Sequence, residues 1–108
     1  MHIQELATKL SQKCEVFSNP IRSLIVSLAI VRNDITWTEL KKNLEELVGE
    51  MNPNTLSFHI GKLIDAGLLV KAGTELQPRY KIPEERVEDA RRTIGQALIK
   101  EIERKYKG

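Results

Sequence analysis

Cysteine and histidine are almost missing from this sequence, and their scarcity closes off several kinds of chemistry. The one thiol, Cys14, has no partner for an internal disulfide and supplies too few ligands for a cysteine-based metal site. It reads as a half-buried helix residue with no redox role. The two histidines are His2, at a terminus that frays, and His59, inside a predicted helix. Neither has a nucleophile or acid at dyad spacing, and no Gly-rich phosphate loop is present, so an enzyme, a cofactor and a bound metal are not expected. Long hydrophobic runs are also lacking. No stretch approaches the roughly 20 apolar residues that span a bilayer. The opening MHIQELATKL mixes charge with apolar residues where a signal peptide needs an unbroken apolar segment. A soluble cytoplasmic protein without a membrane partner is the expectation. Nor is there a large excess of either charge: 17 basic against 15 acidic residues leave +2, which permits a nucleic-acid partner without demanding one.

What is present is a strong helical pattern. The 108 residues, 41% hydrophobic and 30% charged, suit one folded domain. Ile3, Leu6, Leu10, Cys14 and Phe17 recur at three- and four-residue steps and predict an N-terminal amphipathic helix over 1–17. Asn19-Pro20 then offers a cap followed by a residue suited to the first helical position. The helix it opens carries Ile21, Leu24, Ile25, Leu28 and Ala29, a stripe wide enough for a central core position, and fades at Arg32-Asn33-Asp34. Ile35 to Trp37 suits a very short strand. Thr36 and Glu39 have capping-box spacing for a third helix, which buries Leu40, Leu44, Leu47 and Val48 and ends at Gly49. Asn52-Pro53 repeats the cap-then-proline start and opens a helix over 52–66 with Leu56, Ile60, Leu63 and Ile64 inward. A β-hairpin is predicted over 70–82, with its turn between Gly73 and Pro78. From Pro83 a single long helix is expected, acidic at its start and basic at its end.

Two helices of about a dozen residues, joined by a short turn and followed at once by a hairpin, form a helix-turn-helix with a wing. The fold class is therefore mainly α with a small β-hairpin: a winged helix-turn-helix over 18–82, flanked by helices over 1–17 and 83–108. An α-helix fits the DNA major groove, where each base pair displays its own donor and acceptor pattern. On the helix over 52–66, Asn54, Thr55 and Ser57 can bond base edges or phosphates, and Lys62 can reach the backbone. Phe58 suits either a thymine methyl or the core. His59 suits either a buried, satisfied imidazole or a phosphate contact. Asn52 is read as a cap. In the hairpin, Lys71, Arg79 and Lys81 outweigh Glu75, and Thr74 and Gln77 stand near the tip, so this loop suits a phosphate strand or the adjacent minor groove. The third helix carries a net −2 and reads as scaffold.

The last helix bears a stripe of Val87, Ala90, Ile94, Ala97, Leu98 and Ile102, extended by Tyr106. So long a helix exceeds what a small core needs. Its apolar face can pack on the first helix, but two such faces pairing across a two-fold axis bury both more completely, so Ile94, Leu98 and Ile102 are expected to pair two subunits, together with Ile3, Leu6 and Leu10 of the first helix. A homodimer would present two reader helices about one DNA turn apart, ~34–36 Å, to a palindromic site.

Ser18-Asn19-Pro20-Ile21-Arg22 and the segment Thr55-Leu56-Ser57-Phe58-His59-Ile60-Gly61-Lys62-Leu63-Ile64-Asp65-Ala66-Gly67-Leu68-Leu69 resemble the arsenic-repressor-like (ArsR-type) winged-helix transcription regulators. The similarity runs from about Phe17 to Ile82. It implies that Ser57 and His59 face DNA or bind phosphate, and that Arg22 lies near the backbone or braces the fold through an acidic partner. Metal-sensing members place a cysteine pair just inside the third helix, or Asp/His/Glu ligands on the last. Here the first position reads Thr36-Trp37-Thr38-Glu39-Leu40 and the last helix has no histidine, which implies a metal-free member.

The leading function is thus a sequence-specific double-stranded DNA-binding regulator, in the simplest case a repressor. The alternatives are a low-specificity chromatin-like binder, whose affinity would vary little with sequence, and a winged-helix module that docks protein.

Overall fold

Each helix start foreseen in the sequence between residues 19 and 66 is made by the residue that the local chemistry requires. In a computed structural model, which describes Ile3 and residues 19–106, α1 spans Pro20–Arg32, β1 Ile35–Thr36, α2 Trp37–Val48 and α3 Pro53–Asp65. The strands β2 (Val70–Gly73) and β3 (Pro78–Lys81) follow, then a 3₁₀ turn at Glu84–Arg86, α4 (Val87–Ile94) and α5 (Gln96–Tyr106). Asn19 Oδ1 accepts from Ile21 N at 2.8 Å, and Asn52 Oδ1 from Asn54 N at 2.7 Å. Thr36 and Glu39 form the reciprocal capping box at 3.0 and 3.1 Å. The predicted helix over 1–17 lies outside the described residues except for Ile3, which is buried. Leu6, Leu10 and Cys14 lie outside them too.

α1 is the hub. Every residue from Ser23 to Ile30 is buried, and the helix packs against α2, α3, α4 and α5. A helix apolar nearly all round can be stable only inside the fold. Leu40, Leu44 and Leu47 of α2 and Leu56, Ile60 and Leu63 of α3 close on it from one side, Leu98, Ile99 and Ile102 of α5 from another.

The short strand foreseen at 35–37 forms at Ile35–Thr36 and joins the hairpin as the third strand of its sheet. The strand order is β1-β3-β2, antiparallel throughout, with Ile35 opposite Tyr80 and Val70 opposite Lys81. Asn33 and Asp34 take positive φ, 45° and 65°, a conformation that Asn and Asp tolerate better than most residues, and this sharp corner brings β1 alongside β3. The wing is consequently anchored to the body along β3 and free along β2, whose four residues are all exposed.

The long final helix is in fact two. Gly95, at φ +90°, closes α4 by donating its N–H to Arg91 O at 2.8 Å, and the chain turns before α5 begins. Few side chains accept that backbone, which is why the break falls at a glycine inside an otherwise continuous apolar stripe. The turn lets α5 fold back on α1, so Ile94, Leu98 and Ile102, expected at a subunit contact, are already 7%, 1% and 0% exposed within the single chain. Ala97, assigned to the same stripe, is exposed. Tyr106 fastens the end of α5 to α2, its hydroxyl donating to Glu46 Oε1 at 3.0 Å and Asn43 O at 3.2 Å. Burial and the Glu46 carboxylate push this phenol well above its usual range. Among the described residues no helix is long and apolar enough to cross a membrane.

Candidate nucleic-acid interface

The orientation of α3 is fixed at both ends before any side chain on its outer face is considered. At its start, Glu45 of α2 folds over the inter-helix turn: Oε2 accepts from Met51 N at 3.0 Å and pairs with Lys41 Nζ at 3.1 Å. These contacts hold the Glu45 carboxyl below its ordinary range, the Met51 amide first and Lys41 second. At the end, Gly67 N donates to Ile64 O and Leu68 N to Leu63 O, at 3.0 and 2.9 Å, the paired bonds of a Schellman closure. Between these two closures Leu56, Ile60 and Leu63 face inward. The helix can neither roll nor slide without breaking one of these sets.

Its outer face carries Asn54, Thr55, Ser57, Phe58 and Lys62, all exposed. The first turn has no acidic residue, so the positive end of the helix dipole meets whatever anion approaches. Phe58, for which the sequence allowed either a core or a surface place, is 57% exposed. Its ring is held between neighbours. Lys62 Nζ lies 5.4 Å and Arg22 Cζ 6.0 Å from the ring centroid, and His59 meets it edge-on at 5.5 Å.

His59 does not lie on that face, contrary to the place the family resemblance implied. The side chain is 6% exposed, and its Nδ1 accepts from Arg22 Nε at 3.1 Å. Its position three residues after Leu56 and four before Leu63 turns it toward α1, leaving Phe58 and Lys62 outside. An accepting Nδ1 requires the neutral ring with its proton on Nε2. Arg22, foreseen near the backbone or bracing the fold through an acidic partner, donates here to an imidazole and so links α1 to α3.

Burial first, and the Arg22 charge second, hold His59 below the ordinary imidazole range. The folded state therefore resists protonation more than the unfolded chain does. The stability this contributes is fully present above the unfolded value, about 6.5, and is lost as pH falls through the lower folded value. The denaturation midpoint should hold steady from about pH 8 to 7 and decline below about pH 6.5, ahead of the carboxylate-driven loss nearer pH 4. His59→Gln should flatten the upper part of that decline. An identical profile in wild type and variant would remove His59 from the account.

In the wing, Lys71, Thr74 and Gln77 are exposed as expected. The tip is folded tightly, with Gln77 N donating to both Thr74 O and Thr74 Oγ1, at 3.2 and 3.1 Å. Arg79 differs from the expectation. It turns back to the body, its Nε 3.1 Å from Asp34 Oδ1 and its Nη2 donating to Asp34 O at 3.0 Å, so it stiffens the wing and its charge is largely offset there. Neither Glu45 nor Asp34 is foreseeable from local pattern, because both act across turns where no periodicity applies. Leu76, 98% exposed at the tip, was visible as an apolar residue inside a polar turn. Among the described residues no group of three or more His, Cys, Asp and Glu side chains gathers to hold a metal ion.

No protein-family model matches the sequence, and no curated protein is similar to it. Among solved structures the chain is similar to reduced HlyU from Vibrio cholerae N16961, with a TM-score of 0.58 at 20% identity, over 94% of this chain and 90% of that one. That likeness shows the fold, a winged helix.

Proposed function

We propose that this chain is a sequence-specific double-stranded DNA-binding transcription regulator, in the simplest case a repressor, that reads the major groove with α3 and meets the backbone or minor groove with the wing. The observation that carries this reading is the outer face of α3. Small polar side chains at Asn54, Thr55 and Ser57, an aromatic at Phe58 and a cation at Lys62 stand exposed on a helix whose ends are both locked. Such a face offers donors and acceptors for base edges, an apolar surface for a thymine methyl and a charge for phosphate. The likeness in sequence to the arsenic-repressor-like regulators supports the same conclusion, in a member without their metal sites.

The working form in this proposal is a homodimer in the cytoplasm. One 13-residue reader helix contacts few base pairs, and doubling it about a two-fold axis is the usual route to specific affinity.

The test is selection of bound duplexes from a random library at near-physiological salt, with Asn54 and Ser57 both changed to Ala in a parallel sample. Wild type should enrich a palindromic site, and the double variant should lose about tenfold in preference for it while keeping salt-dependent background binding. Retention of no duplex by wild type would sink the proposal in favour of a protein-docking module. Retention without sequence preference would favour a chromatin-like binder.

A further inference from the structure

The wing tip carries a feature that contacts to phosphate do not account for. Hairpin turns are built mainly from Gly, Pro, Asn, Asp and Ser, yet the apex here presents Leu76, 98% exposed. Scattered surface leucines are ordinary, so exposure alone says little. Two further observations give this one meaning.

The first is rigidity. Gly73, at φ +79°, lets the chain double back so closely that a Cβ there would lie 2.6 Å from Gln77 O. Gln77 N is held twice by Thr74, Arg79 ties β3 to Asp34, and β1 pairs along the far side of β3. The second is the placement of charge. Lys71 stands opposite Tyr80 and Lys81 opposite Val70, at successive positions of the ladder, so the two lysines project from opposite faces of the ribbon. Both are exposed. A ribbon lying flat on one phosphate strand would use a single face. A ribbon that points its apex into a groove would use both, one toward the phosphate strand on each side, and its apex would reach the base pairs first.

We infer that the wing enters the minor groove tip-first and inserts Leu76 as an apolar wedge against a base step, with Lys71 and Lys81 facing the two phosphate strands. This deepens the DNA-binding reading and rests on it. A minor groove about 6 Å wide admits the apex side chain and not the whole ribbon, so the wedge is one residue, and the two lysines, at the end of the ladder away from the apex, reach toward the phosphates along the groove's rims. Partial unstacking is easiest at pyrimidine–purine steps, so the wing confers a preference for such a step at a position where no hydrogen bond reads the sequence.

The experiment places 2-aminopurine at successive positions of a duplex selected by the wild-type protein and reads its fluorescence on saturation. Wild type should brighten the probe at one step per half-site. Leu76→Ala should abolish that brightening and weaken binding roughly three- to tenfold, without changing the slope of log affinity against log salt. Leu76→Phe should restore the signal, and Lys71→Ala should flatten the salt slope. A bound wild type that brightens no position overturns the wedge and leaves the DNA-binding reading standing. A wild type that retains no duplex overturns both. A Leu76→Ala variant that binds as wild type but sediments as a smaller species assigns the residue to a contact between copies and overturns the wedge.

Discussion

Ile102→Asp is expected to abolish cooperative folding rather than merely to separate subunits. The side chain is 0% exposed in α5, within the cluster that includes Leu24, Leu28 and Leu98. Placing a carboxylate there carries an effective desolvation cost of several kcal/mol, and about 2 kcal/mol of apolar burial is lost as well. A domain of this size has only about 5–15 kcal/mol in total. Thermal unfolding followed by circular dichroism should show no sigmoidal transition. Ile102→Ala should remain folded and lose about 2–5 kcal/mol, so the position stays measurable even where the charged variant does not fold. The opposite result would be a charged variant that melts cooperatively as a monomer from a dimeric wild type. That would return Ile102 to the subunit contact first expected of it.

A helical period alone does not distinguish a subunit contact from a core contact within one chain. Ile94, Leu98 and Ile102 do recur with helical spacing, and the period is correct. What the period does not report is Gly95, a single residue whose backbone turns one helix into two and brings the second half home to α1. The caps behaved differently. Asn19-Pro20, Thr36 with Glu39, and Asn52-Pro53 are bonds between residues two or three apart, so the residue types and spacing contain all the information needed.

Long-range ties were out of reach for the same physical reason. The Arg22 bond to His59 joins residues 37 apart, and the Arg79 bond to Asp34 joins residues 45 apart. Each depends on where the core places two elements, and no local pattern encodes that. The outer face of α3 was legible because it is the complement of a strong apolar stripe. Its two ambiguous members, Phe58 and His59, were decided by one helical step of rotation, which turned the ring out and the imidazole in.

Those two residues meet at Arg22, whose replacement is expected to have the largest effect on binding of any single surface change. Arg22→Ala removes one positive charge beside α3, leaves His59 Nδ1 without the donor now 3.1 Å away, and takes one of two cations from the Phe58 ring. On the proposed reading, the lost charge should lower affinity in a salt-dependent way, and the lost brace should lower it at every salt concentration, because an α3 held less firmly must be ordered on binding. Together these should weaken binding to a selected duplex by about a hundredfold, against roughly 1–2 kcal/mol of lost folding stability. Arg22→Lys separates the two contributions. An ammonium keeps the charge but lacks the planar guanidinium that donates to an imidazole and stacks beside a ring in one geometry. The lysine variant should therefore recover the wild-type dependence on salt while remaining about tenfold weaker throughout. Full recovery by lysine would reduce Arg22 to a point charge, and an unchanged affinity in Arg22→Ala would remove the α1 brace from DNA recognition altogether.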